Sequence, residues 1–76
     1  MLDVEVSRNV KLGRKIKAVR AECGLRQKDL AKLIDVAQQT VAAWESGKNW
    51  ISLQHLLKIC EVCRVRLSYF DVLEDN

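Results

Sequence analysis

The apolar residues of this chain recur at helical spacing. Leu12, Ile16, Val19 and Cys23 fall at i, i+4, i+7 and i+11. That repeat lays one apolar stripe along a helix and leaves Arg14, Lys15 and Lys17 outside. Gly24 follows as a C-terminal stop. The pattern resumes in short segments. Leu30, Ala31 and Ile34 face inward on a second helix over Gln27–Ile34, and Val41 and Trp44 do so on a third from Gln38 to Glu45, closed by Gly47. Ser52 is placed to cap a fourth, in which Leu53, Leu56, Leu57, Cys60 and Cys63 keep helical spacing. Loops this short press consecutive helices together. The sequence therefore predicts an all-α fold, a compact four- to five-helix bundle, with a possible short C-terminal strand.

Size and charge narrow the class. Seventy-six residues allow one domain with a modest core, near the lower limit for folding without metal, disulfide or partner, so oligomerisation is open from the start. The expected division is a flexible N-terminal segment over residues 1–9, a folded domain over 10–73 and a tail over 74–76. Such a chain has no room for a sensor or self-cleaving domain. Thirteen Lys plus Arg against ten Asp plus Glu give a net charge of +3, too mild to identify a partner. Placement says more: the basic residues from Arg8 to Lys48 precede residue 50, whereas Asp71, Glu74 and Asp75 sit at the end. One end suits an anion. No opening apolar run marks a signal peptide or a membrane span, and three cysteines, an odd count, suit a reducing compartment better than a disulfide framework. A cytoplasmic protein without membrane contact is expected.

The second and third helices meet through a tight connection at Asp35 and Val36, and the third opens on paired amides, Gln38 and Gln39. That is the layout of a helix-turn-helix. The stretch GLRQKDLAKLIDVAQQTVAAWESGK resembles the Cro and phage-repressor type of helix-turn-helix, also named after the xenobiotic response element repressor. The likeness covers residues 10 to 70 and rests on the joint spacing of Leu25, Gln27, Leu30, Ala31, Val36, Thr40, Val41, Trp44, Glu45 and Gly47, followed by SLQHLLKICEV as the fourth helix.

The resemblance implies a role for each matching position. Gln27 matches a glutamine at the head of the second helix that holds a DNA phosphate, where a helix N-terminus favours an anion in any case. Gln38 and Gln39 match the head of the recognition helix, which lies in the major groove. A planar amide offers one donor and one acceptor that complement adenine N6 and N7. Ala42 and Ala43 occupy the next turn of that base-reading face, where a methyl group can approach a thymine methyl. Thr40, Ser46, Lys48 and Asn49 match phosphate-contacting positions, and Arg20 with Glu45 matches a structural ion pair. The implied function is a sequence-specific regulator, a repressor that binds a palindromic operator in double-stranded DNA as a homodimer. Phage switch proteins, restriction-system controllers and antitoxins all fit this description.

Departures from the pattern fall at helix ends. Arg26 and Ala37 stand where Ser or Thr caps are usual, each missing cap costing about 1 kcal/mol. Asp35 and Arg64 replace common glycines, and Asp tolerates a left-handed backbone better than most residues. In VRLSYFDVLED, Ser68 and Asp71 could form a capping box with Phe70 and Leu73 packed on the bundle. Alternatively, Val65, Leu67 and Tyr69 could form a strand like those that HipB-type antitoxins pair between subunits. The helix is the preferred expectation. The alternative function is a protein-interaction module, an antitoxin or adaptor whose main partner is a toxin or another regulatory protein. Cys60 and Cys63 have the spacing of half a zinc site, yet no second pair accompanies them and Cys60 continues an apolar stripe, so buried thiols without metal or cofactor are expected. No catalytic constellation is visible: His55 lacks an evident nucleophile, and there is no glycine-rich phosphate loop.

Overall fold

The computed structural model describes the backbone of residues 4–71 and side chains from residue 8 onward. Four α-helices follow one another, α1 (Val4–Glu22), α2 (Gln27–Ile34), α3 (Gln38–Ser46) and α4 (Leu53–Cys63), and then a single 3-10 turn over Leu67–Phe70. α3 packs against α1 and α2, α4 packs against α2, and the 3-10 turn closes on α1 and α4. Among the described residues there is no strand, and no helix is long and apolar enough to cross a membrane.

The core gathers Leu12, Ile16 and Val19 from α1, Leu30, Ala31 and Ile34 from α2, Val41 and Trp44 from α3, and Leu56 and Ile59 from α4, with Ile51 and Phe70. On α1 to α3 these are the residues that helical spacing placed inside. α4 is rotated relative to the expected stripe. Leu53 and Leu57 are 61% and 44% exposed, whereas Ile59 is fully enclosed. A helix has room for one buried line, and Leu56 and Ile59 take it, with Cys60 and Cys63 half-buried beside them. Leu57 lies a quarter-turn away, and Leu53 projects past the edge of the core.

Helix ends explain several departures. Asp35 and Arg64 both adopt the left-handed conformation, with φ of 64° and 57°. Each donates its own or the next backbone N–H back to the preceding turn, Val36 N to Ala31 O at 2.9 Å and Val65 N to Cys60 O at 3.1 Å. The C-terminal stop is thus built as glycine would build it, at a strain of order 1 kcal/mol per residue. At the head of α2 the expected loss of a cap needs correction. Asp29, in the first turn, accepts from the Arg26 backbone N–H at 2.9 Å and from Arg26 Nε at 3.0 Å, so the reciprocal half of a capping box stands without the Ser or Thr. Ala37, at the head of α3, has no side chain to cap with, and the expected gap is present. Ser52 caps α4, accepting from His55 N at 3.2 Å.

Two boundaries differ from the sequence reading. α1 reaches back to Val4, so residues 4–9 are helical where a flexible segment through residue 9 was expected. Asn9 ties to the body of the protein by donating from Nδ2 to Gly47 O at 3.3 Å. Near the other end, the turn begins after Arg66 and not at Ser68. Ser68 lies inside it and gives its carbonyl to Asp71 N at 3.1 Å, so neither the Ser68 cap nor the strand of Val65, Leu67 and Tyr69 forms. Burying Phe70, which is 4% exposed, is what a single tight turn achieves here. Leu73 and residues 74–76 lie outside the described residues.

Candidate nucleic-acid interface

Three helices meet where α1 crosses α3, and a glycine permits the crossing. A Cβ built on Gly13 would lie 2.5 Å from Trp44 O and 2.6 Å from Glu45 O. Both are backbone atoms, so no larger residue fits without separating the helices. A turn earlier, Val10 Cα and N would meet a Cβ on Gly47 at 3.1 Å. The far end of α3 is thus clasped against α1 at two consecutive turns. Sequence reading missed Gly13, although a glycine inside a helical pattern, at a cost of about 1 kcal/mol, is a signal that some close approach requires it.

The same crossing buries a charge network. Glu45 is 8% exposed, and its carboxylate takes the Arg20 guanidinium side-on: Arg20 Nε donates to Oε2 at 2.6 Å and Nη2 to Oε1 at 3.1 Å. Arg20 Nη1 donates to Leu25 O at 2.7 Å, fixing the link between α1 and α2. The hydrogen bonds to Glu45 raise the Arg20 pKa against the opposing effect of burial, and the Glu45 charge adds to them. A third donor joins that resemblance alone did not suggest. Gln27 Nε2 donates to Glu45 Oε1 at 3.0 Å, so the amide expected to stand open for phosphate is held from within.

On the opposite side of α3 the reading face is open. Gln38 and Gln39 are exposed at the first two positions of the helix, and Ala42 and Ala43 follow one turn on, half-buried, with Thr40 half-buried between. Their small side chains leave a shallow surface behind the two amides. Ala37 supplies no side-chain cap; Thr40 N turns back to Ala37 O at 3.0 Å, and the N–H groups of Gln38 and Gln39 lead the helix. The loop after α3 folds back tightly: Lys48 N and Asn49 N both reach Ala43 O, at 3.0 and 3.2 Å. Ser46 Oγ donates to the same carbonyl at 3.2 Å and accepts from Lys48 N at 3.4 Å. A hydroxyl has one proton to give, so Ser46 shapes the loop with it, while Lys48 and Asn49 extend into solvent.

The thiols and the histidine are elsewhere. Cys60 and Cys63 lie half-buried against the core, and burial, with a hydrogen bond to Cys23, pushes the Cys63 thiol up to about 12. No group of His, Cys, Asp and Glu among the described residues is arranged to hold a metal. His55 is tied to Ser52 Oγ through Nδ1 at 2.9 Å, and its ring stands 5.3 Å from that of Trp44. Trp44 is core, whereas Trp50 is 56% exposed.

Comparison with known proteins places this geometry. The model of the HTH_3 helix-turn-helix family matches residues 16–70. The chain is 39% identical over 62 residues to an uncharacterised HTH-type transcriptional regulator of Methanocaldococcus jannaschii, spanning 82% of this chain and 94% of that one. It is 38% identical over 62 residues, with coverages of 82% and 94%, to the uncharacterised HTH-type transcriptional regulator YgzD of Bacillus subtilis. The restriction-modification controller protein C.AhdI from Aeromonas hydrophila superposes with a TM-score of 0.80 over 86% of this chain and 98% of that chain, at 26% identity. The chain belongs to the HTH_3 family, the Cro/C1-type helix-turn-helix regulators, and its class is that of a DNA-binding transcriptional regulator.

Proposed function

We propose that this chain is a repressor that binds a palindromic operator as a homodimer, with α3 in the major groove of each half-site, and that it acts in the cytoplasm without catalysis or cofactor. The observation that carries this reading is the contrast between the two sides of α3. One side is clamped to α1 and α2 by Gly13 and the Glu45 network; the other presents Gln38 and Gln39 on a surface cleared by Ala42 and Ala43. Gln38 and Gln39 read adenines, and the two alanines contribute methyl contact. Lys48 and Asn49 supply phosphate donors, aided by Gln27, by the backbone N–H groups of Gln38 and Gln39 at the head of α3 and by the Thr40 side chain. Ser46 supports that group by holding the loop. Twofold symmetry places half-sites one helical turn, about 34 Å, apart.

Two substitutions test these roles. Gln38→Ala should relax preference at one base position and cost about 1–3 kcal/mol of discrimination. Lys48→Ala should weaken binding to all sequences alike and lower the salt slope by about one. Equal loss of affinity for every operator variant in Gln38→Ala would remove its base-reading role.

A second reading, a module whose main partner is another protein, is favoured by one observation. Trp50, Leu53 and Leu57 are exposed beside an apolar hollow of about 250 Å³ lined by Leu12, Trp50, Ile51, Leu53, Leu56 and Phe70. These three side chains are the apolar surface that such a partner would cover. A chain that sediments as a monomer alone and with DNA supports this reading over the dimeric repressor.

A further inference from the structure

We propose that Glu45 is a positioning residue for contact with the DNA backbone: its carboxylate, anchored by Arg20, orients the Gln27 amide at the head of α2. The inference rests on the reading of Gln27 as a phosphate contact and adds what aims it. A side-chain amide has two nearly isosteric ends, and turning it by half a rotation exchanges its donor and acceptor. Only the donor end serves a phosphate. A carboxylate accepts and cannot donate, so a neighbour such as Glu45 Oε1, 3.0 Å from Gln27 Nε2, admits one of the two orientations. Its second N–H then remains, on the same fixed nitrogen, for an anion.

Rigidity in Glu45 is what makes the aim useful. Glu45 is buried, and two nitrogens of one guanidinium grip both of its oxygens. A planar side-on pair fixes position and rotation together. Arg20 is fixed in turn at Leu25 O, two residues before Gln27. The network thus runs from α1 through the last turn of α3 to the first residue of α2, and a buried ion pair that contributes uncertainly to stability acquires a role in binding. A glutamine at position 45 has one acceptor for what are now three donated hydrogen bonds. Arg20 takes it, and the new NH2 group, itself a donor, turns the Gln27 amide over, so that its oxygen faces position 45 and its nitrogen leaves the place from which it served the anion.

The test is a double-mutant cycle on the full chain, with a random-sequence duplex as the probe because a phosphate contact is indifferent to sequence. Gln27→Ala should weaken binding roughly three- to tenfold, the worth of one hydrogen bond. Glu45→Gln should weaken it by a similar factor in the wild-type background and by less than twofold in Gln27→Ala. Glu45→Asp, which keeps the charge beside Arg20 but shortens the reach to Gln27, should show the same dependence and serves if Glu45→Gln does not fold. In 15N-resolved NMR spectra of the free protein, the Gln27 side-chain amide pair should shift and broaden in either variant. Loss of affinity from the Glu45 variants that persists undiminished without the Gln27 side chain overturns the proposal and leaves Glu45 a structural residue. Unchanged binding in Gln27→Ala overturns instead the phosphate role on which it rests.

Discussion

Replacing Gly13 by alanine should damage this protein although it improves the helix. At an exposed helical site the change stabilises by about 0.5–1 kcal/mol, because glycine loses more backbone freedom on folding. Here the new methyl would sit 2.5 Å from Trp44 O and 2.6 Å from Glu45 O. Ordinary contact begins at 3.4 Å, so α3 must retreat by about 0.9 Å. Neither oxygen can swing aside, since both belong to the backbone of the helix. Overpacking of this kind costs about 1–3 kcal/mol, occasionally more, and retreat also stretches the Arg20–Glu45 pair. Set against the helix gain, the expected net loss is about 1 kcal/mol, a fall in Tm of roughly 4–8 °C for a domain this small. Thermal unfolding followed by circular dichroism measures it directly. A Tm equal to or above that of the unaltered protein would refute the close crossing of α1 and α3.

Other consequences are as specific. Ile59→Ala should cost about 2–5 kcal/mol, whereas Leu57→Ala, half out of the core, should cost well under half as much; urea midpoints of the two variants decide the register of α4. Asp29 has its pKa lowered below its ordinary 3.8, first by the Arg26 side-chain hydrogen bond and then by the Arg26 backbone N–H. A depressed carboxylate contributes stability above that value and loses it as pH falls further. Asp29→Asn should therefore lower the Tm at pH 7 and flatten its decline below pH 4, and a decline as steep as before would separate Asp29 from the cap. Cys63, raised from 9.0 to about 12 by burial and then by Cys23, favours the folded state below pH 9, and that contribution fades as pH climbs toward 12. At pH 8 iodoacetamide should label Cys63 far more slowly in the native protein than in urea, as mass spectrometry would show.

What could be read from the sequence followed the strength of its periodicity. The stripes of α1, α2 and α3 are unambiguous, and so were their inner faces. α4 carries apolar residues at Leu53, Leu56, Leu57, Ile59, Cys60, Val62 and Cys63, nearly all round its surface, so spacing alone could not select Leu56 and Ile59 over Leu53 and Leu57. The tail was harder still, because one turn fastened by Phe70 has no period to detect. At the head of α2 the usual cap position holds Arg26, and the capping signal lies instead in Asp29, an acid in the first turn. Within the interface, the resemblance supplied Gln38, Gln39 and the Arg20–Glu45 pair. It did not supply the bond from Gln27 to Glu45, which joins residues eighteen positions apart and exists only once α2 and α3 have packed.

Base reading by α3 is tested by selection with the purified chain from a pool of random duplex DNA, followed by anisotropy titration of the winner against scrambled DNA at two salt concentrations. A dimeric, base-reading repressor gives a palindromic winner with adenines opposite Gln38 and Gln39, half-sites about one turn apart, and a preference over scrambled DNA that survives the higher salt. No enrichment, with only weak and salt-sensitive binding to every duplex, would contradict it.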